Sequence, residues 1–227
     1  MSTAAGLWDA MATMAPDLVE VVGLTLLVSG AAIVVAMALG VPLGVLLGLA
    51  RFPGRNLVVT LVNTGMGLPP VVVGLFVFLA LARSGPFGTH ELLYTPAAMV
   101  VAQVIISLPL VAGVTLAAIQ GQSEQLRLQV LSLGASRGQL FWKLIREARL
   151  SMVAALAAGF GAIISEVGAV MMVGGNIKGQ TRVMTTAIVL ETRQGNFMLA
   201  TALSVVLLVM ALLVNWAFTA LQQRRTR

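Results

Sequence analysis

The sequence has no cysteine, so disulfide bonds, thiolate nucleophiles and cysteine-held metals are excluded at the outset. It has a single histidine, His90, which rules out a histidine-based metal site or catalytic dyad assembled within one chain. Charge is also scarce. Only 10% of the 227 residues are Asp, Glu, Lys or Arg, against roughly 25% in a soluble domain, while 59% are hydrophobic. A water-soluble fold has no way to hide that much apolar surface. There is no basic patch either: the net charge of +6 comes from residues scattered at the ends of apolar runs, which points to membrane orientation and away from nucleic acid.

What the sequence does have is long uncharged runs. Val21 to Ala50, Asn56 to Ala82, Leu92 to Ser123 and Gln194 to Gln223 carry no charge, and each exceeds the ~20 residues that cross a bilayer as helix. A fifth run, Leu150 to Val173, is uncharged except for Glu166 and is rich in Ala and Gly, which let membrane helices approach closely. The expected fold is therefore an all-α integral membrane protein of about five transmembrane helices, near 21–50, 56–82, 95–119, 150–173 and 197–221. Residues 1–20 precede them and a 222–227 tail follows, with no appended soluble domain expected. No Lys or Arg precedes Arg51, so the first span lacks the basic flank of a secretory signal and should remain in place. A short interfacial helix is expected around Trp8, ending near Pro16. No internal repeat is visible, which weighs against an ion-coupled secondary transporter.

Lys and Arg set the orientation. On a five-span topology, one side receives Arg51, Arg55, Arg127, Arg137, Lys143, Arg146, Arg149, Arg224, Arg225 and Arg227; the other receives only Arg83, Lys178, Arg182 and Arg193. The richer side is expected to be cytoplasmic, with the N-terminus outside, the C-terminus inside and segment 121–149 in the cytoplasm.

That segment reads as helix, turn, helix. Leu126, Val130 and Leu133 fall on one face of the first piece; Leu140, Phe141, Leu144, Ile145 and Ala148 form a stripe on the second. Leu133, Gly134, Ala135, Ser136 and Arg137 make the connection, and Ser136 with Gln139 fits a capping box. The pattern fits either a docking element for a cytoplasmic partner or a membrane-surface connector. No G-x-x-x-x-G-K-[ST] phosphate-binding loop occurs, so any nucleotide must be bound by another chain.

Three further features stand out. Asn63, Thr64, Gly65 and Gly67 precede Leu68-Pro69-Pro70, where consecutive prolines remove backbone donors and should break the helix, either to line a path or as a packing kink. Glu166 lies within a span, where a carboxylate costs about 2.5–3.5 kcal/mol and should face protein or a water-filled path. Counted along a continuous helix from Leu150, it stands about 24 Å in, suited to a gate or to a structural interhelical pair. Lys178, Arg182 and Arg193 then cluster after this span, as solvated charges or as groups that steer an anion or dock a binding protein.

These segments together resemble the permeases of type I ATP-binding-cassette importers. In that family the cytoplasmic loop carries Glu-Ala-Ala, a Gly four residues on, and an Ile-x-Leu-Pro ending. Here Gly134 stands at the glycine, Leu128, Gln129 and Val130 at Glu-Ala-Ala, and Leu144, Ile145, Arg146 and Glu147 at the ending. The run from Ile164 through Ser165, Glu166, Val167, Gly168 and Ala169 to Gly175, Asn176 and Ile177 is similar to the Gly-Glu-Phe-Gly-Ala and Gly-Asn-Ile segments of sulfate, molybdate and tungstate permeases. With Thr181 to Ile188 and Glu191 to Phe197 it looks most like the tungstate subfamily. The resemblance implies a MetI-like permease fold in a bacterial or archaeal plasma membrane, with a second copy of the chain, an ATPase dimer that docks on the 133–137 turn and itself binds ATP and Mg, and an extracytoplasmic oxyanion-binding protein as partners. It implies no cofactor in this chain and no enzymatic activity of its own. It places Asn63, Thr64, Pro69, Pro70, Ser165, Glu166, Gly168, Asn176 and Thr181 at the gate or path. Tungstate, molybdate and sulfate remain open as substrates, and a channel or ion-coupled transporter is the rival class.

Overall fold

The computed structural model describes residues 15–122 and 124–223, and every regular element among them is helical. In order these are α1 (Ala15–Leu49), α2 (Arg55–Met66), α3 (Pro70–Leu81), a 3₁₀ turn at Gly88–His90, α4 (Pro96–Gln120), α5 (Glu124–Ser132), α6 (Arg137–Glu147), α7 (Arg149–Ile164), α8 (Gly168–Gly174), α9 (Met184–Arg193) and α10 (Phe197–Gln223). The expected helix around Trp8 and most of the 222–227 tail lie outside the described residues. Three helices, α1, α4 and α10, are each long and apolar enough to cross a membrane; counting each of two bent helix pairs as one span brings the number to five.

The core is built on α1 and α4, the most extensive helix pair. Gly40, Gly44 and Gly48, spaced by four, put a ridge without side chains on α1 against Val111, Ala112, Thr115 and Ile119 of α4. A methyl group added at Gly44 would stand 2.5 Å from the Ala112 carbonyl oxygen, so backbone meets backbone there. Against this pair α7 lays Phe160, Ile163 and Ile164, packed with Ile33, Ala36 and Val111, and α10 closes the cluster with Leu203 and Met210. The 35 residues of α1 rise about 52 Å, more than the ~30 Å of a hydrocarbon core, so the helix is longer than a single crossing needs.

Two expected spans are not continuous helices. The 56–82 run is broken as its prolines predict: α2 and α3, each of 12 residues, meet at a 105° bend, with Pro70 opening α3 where its missing N–H has no helical partner to lose. The 150–173 run was expected unbroken, and it is not. Its helix ends at Ile164, residues Ser165 to Val167 are non-helical, and α8 starts at Gly168. Ser165 supplies a reason, since its hydroxyl donates back to the carbonyls of Gly161 (2.9 Å) and Ala162 (3.2 Å) and so competes for the groups that end the helix.

After α8 the chain turns through Gly175 and Asn176, both at positive φ, and returns as α9. Irregular backbone inside an apolar bundle needs internal partners, and threonines provide them. The Thr181 hydroxyl donates to the Gly174 carbonyl and accepts from the Ile177 N–H (2.9 Å); Thr186 accepts from the Val183 N–H (3.1 Å); Thr25 of α1 accepts from the Met184 N–H (2.9 Å).

Candidate functional site

The two helix breaks lie against each other. Gly168 faces Val71 so closely that a methyl group on it would stand 2.5 Å from Val71 Cγ2, and one on Gly74 would stand 2.6 Å from the Ala169 Cα. The start of α3 and the start of α8 therefore touch through glycines, and this sets the Pro69–Pro70 bend beside the Ser165–Val167 break. Asn63 and Thr64 are exposed one turn before the bend, where α2 rests Gly65 on the ring of Pro109 of α4.

Glu166 is half-buried in the break. Its carboxylate does not reach across to a cation: among the described residues it has no ion pair. Instead Oε1 accepts the Ala169 N–H (2.9 Å), a charge-assisted bond that satisfies one of the free donors opening α8. The interhelical pair considered from the sequence is thus replaced by a local cap. The Glu166 backbone is held on both sides: its carbonyl accepts from the Thr185 hydroxyl of α9 (3.0 Å), and its N–H turns back to the Ile163 carbonyl at the end of α7 (3.2 Å). Ser165 beside it is exposed.

Of two other residues expected along a path, one is committed elsewhere. Thr181 is fully buried, and its hydroxyl is spent on the backbone of its own loop, so it is a loop strut and not a path-lining group. Asn176 is half-buried at φ 52°, a left-handed position that Asn tolerates better than most residues. Of the three basic residues, Lys178 is paired with Asp17 (2.6 Å), and Arg182 shares with it a small pocket lined also by Glu20 and Glu191. Arg193, exposed at the end of α9, does not line that pocket.

The helical hairpin sits at the other end of the bundle. Leu140, Leu144 and Ala148 are buried against Val45, Ile119 and Met152, with Leu126 and Val130 packed on them. The capping box is present in full: the Gln139 N–H donates to Ser136 Oγ (3.3 Å) and the Ser136 N–H to Gln139 Oε1 (2.8 Å). Helical spacing puts Leu133 on one face with Leu126 and Val130, yet it is 86% exposed while they pack inward. Helix α5 ends at Ser132, so helical spacing no longer governs the next residue. Trp142 is exposed too, at 69%, and Gly134 in the turn has φ 79° with no neighbour among the described residues within 4 Å of an added methyl group. The constraint at Gly134 is thus conformational, not steric. Gly134→Val is expected to destabilise the hairpin turn by about 1–2 kcal/mol, the cost of an L-residue in the left-handed region. Limited proteolysis should then cut within 121–149 faster while the melting temperature of the bundle is unchanged.

Residues 40–227 match the family described as the binding-protein-dependent transport system inner membrane component. The chain belongs to that family. A probable anion ABC transporter permease protein of Haloferax volcanii is 44% identical over 203 residues, covering 87% of this chain and 88% of the relative. The tungstate uptake system permease protein TupB of Peptoclostridium acidaminophilum is 37% identical over 208 residues, with 92% and 91% covered. Among solved structures, the methionine ABC transporter MetNI in inward-facing form superimposes with a TM-score of 0.77 at 21% identity, covering 95% of this chain and 99% of that one. The fold is that of a type I ABC importer permease, and the protein is a membrane-embedded transport subunit.

Within the permease, some residues at the site carried no signal in the motifs. Gln103 is buried on α4 and donates to the Ile163 carbonyl (3.1 Å), and Ser107, one turn later, donates to the Gln103 carbonyl (2.7 Å). Two polar residues one turn apart within an uncharged span were a readable sign of a polar stripe. Thr185 was visible only as part of a family segment.

Proposed function

We propose that this permease imports an oxyanion, most directly tungstate, as one of two copies that form a path between them and are driven by a partner ATPase. The observation that carries the substrate is the likeness over nine-tenths of the chain to a tungstate uptake permease, together with the closer likeness to an anion permease. Orientation follows from the basic residues: the hairpin faces the cytoplasm, where Leu133, Gly134, Ala135, Ser136, Arg137 and Trp142 meet the ATPase that binds ATP and Mg. The convergent breaks at Pro69–Pro70 and Ser165–Val167 then lie on the path, with Glu166 as gate. An ionised carboxylate repels an oxyanion, so Glu166 holds a conformation and does not ligate the substrate.

The outward cations serve docking better than steering of a free anion. Lys178 and Arg182 stand among Asp17, Glu20 and Glu191, and such a mixed-charge surface pairs with a binding-protein rim more readily than it attracts a lone anion. ATP binding closes the ATPases, pushes on the hairpins and turns the path outward; hydrolysis resets it, with rigid halves moving about the breaks. Selectivity belongs chiefly to the binding protein, because a tight site in the path would slow release.

The test is reconstitution with the partner ATPase and binding protein. Loaded binding protein is expected to stimulate ATP hydrolysis, and calorimetry of that protein against tungstate, molybdate and sulfate is expected to rank tungstate first. A tighter sulfate or molybdate complex would reassign the substrate, and ATP-independent flux through the chain alone would replace the importer with a channel.

A further inference from the structure

We propose that Gln103 and Thr185 are the positioning residues of the gate: two buried side chains, on α4 and α9, that grip the chain on both sides of Glu166 and transmit the state of the hairpin to it. The proposal rests on the reading of the Glu166 segment as the gate. Gln103 is 3% exposed and Thr185 5% exposed, and both are committed to backbone carbonyls, Gln103 to that of Ile163 in the last turn of α7 and Thr185 to that of Glu166 in the break.

The Ile163 carbonyl is the junction. It accepts the Glu166 N–H at 3.2 Å and the Gln103 Nε2 at 3.1 Å, so one oxygen joins α4 to the residue that carries the carboxylate. A carbonyl only accepts, which fixes the amide with Nε2 toward Ile163. Gln103 Oε1 is thereby left buried without a hydrogen-bond partner among the described residues. On packing grounds alone an apolar side chain of similar length would serve this position better, because an unmade buried bond is unfavourable. The amide is therefore explained by the carbonyl it holds. Its spare acceptor gives a second arrangement of the break a place to dock an N–H.

On the other side of Glu166, the Thr185 hydroxyl takes the carbonyl at 3.0 Å, and α9 is anchored to α1 by the neighbouring Met184 N–H on Thr25. Glu166 is thus fixed at N–H and C=O, and from that position its carboxylate accepts the Ala169 N–H. Helix α4 also reaches the hairpin. Ile119 lies in the cluster with Leu140 and Leu144, sixteen residues or about 24 Å along the same helix from Gln103, with Pro109 between them braced by Gly65 of α2. A displacement of the hairpin is carried by α4 to the Ile163 carbonyl.

The absence of cysteine allows a clean experiment. In the complete transporter in proteoliposomes, Ser165→Cys is labelled with a membrane-impermeant maleimide in nucleotide-free and ATP-analogue-trapped states. With Gln103 and Thr185 present, the labelling rates of the two states should differ by about fivefold or more, the usual scale of a coupled switch. Gln103→Leu and Thr185→Val should each bring the two rates within a factor of about two. ATP hydrolysis should continue while anion imported per ATP falls, melting should stay near that of the parent, and Thr185→Ser should restore switching. If switching survives both substitutions, Gln103 and Thr185 are not positioning residues, although the gate reading stands. If Ser165→Cys does not switch in the parent, both readings fall. Should Gln103→Leu fail to accumulate, Gln103→Met and Thr185→Val decide by the same criterion.

Discussion

Replacing Glu166 with Gln should lower ATP-driven anion uptake by about tenfold while the complex still assembles. The glutamine keeps an oxygen where Oε1 accepts the Ala169 N–H, so the break and α8 retain their shape. What is lost is the charge on the acceptor. A charged hydrogen bond contributes about 1.5–3 kcal/mol and a neutral one about 0.5–1.5, so the state that depends on this cap loses roughly 1–1.5 kcal/mol. A loss of that size shifts a two-state equilibrium roughly tenfold. Glu166→Ala is the control, since it removes the acceptor as well and should also reduce melting by the ~1 kcal/mol of a lost cap. Uptake at the parental rate in Glu166→Gln would show that the oxygen alone matters and would take the charge out of the mechanism.

Gly44→Leu should abolish a stable bundle. The new Cβ would lie 2.5 Å from the Ala112 carbonyl oxygen and 2.6 Å from Thr115 Cβ, and neither the helix backbone nor a β-branched residue at 0% exposure has room to yield. Overpacking costs about 1–3 kcal/mol at sites that can adjust, and the α1–α4 seam, made of backbone on both sides, is less able to. Whole-protein stability is about 5–15 kcal/mol, so a loss beyond that range's lower end leaves little folded protein. Detergent-solubilised yield and thermal melting measure it. Gly23→Leu, a position with nothing within 4 Å of an added methyl group, is the matched substitution that should leave yield near the parental level.

The membrane class was legible because it depends on one-dimensional quantities: the length of uncharged runs against bilayer thickness. The hairpin was legible for a similar reason. A capping box is a local device, set by Ser136 and Gln139 three residues apart, and it forms as their spacing predicts. The bend at Pro69–Pro70 follows from the proline ring itself. Where the reading failed, the deciding partner was distant in sequence or the period had lost its helix. Leu133 shares a helical period with Leu126 and Val130, but the helix ends one residue earlier and Leu133 stands exposed. Glu166 was placed on an unbroken span because hydropathy does not register a three-residue break, and its partner was sought across helices when it lay three residues ahead. The Gly40, Gly44 and Gly48 ridge could have been read from its spacing of four, although the helix it meets could not.

The sequence by itself determined that this chain is a helical membrane protein, where its apolar runs lie, which loop forms a capped hairpin and where prolines bend it. Each of these is decided within a few turns of chain, by burial against lipid or by the hydrogen bonds of neighbouring residues. Tertiary structure alone decided that the two breaks meet, that Gln103 and Thr185 hold the chain around Glu166, and that Lys178 is already engaged by Asp17. Those outcomes depend on which polar groups, sixty or more residues apart in the case of Gln103 and Ile163, find each other in an interior without water. There an unpaired backbone group is costly enough to choose its partner from anywhere in the fold.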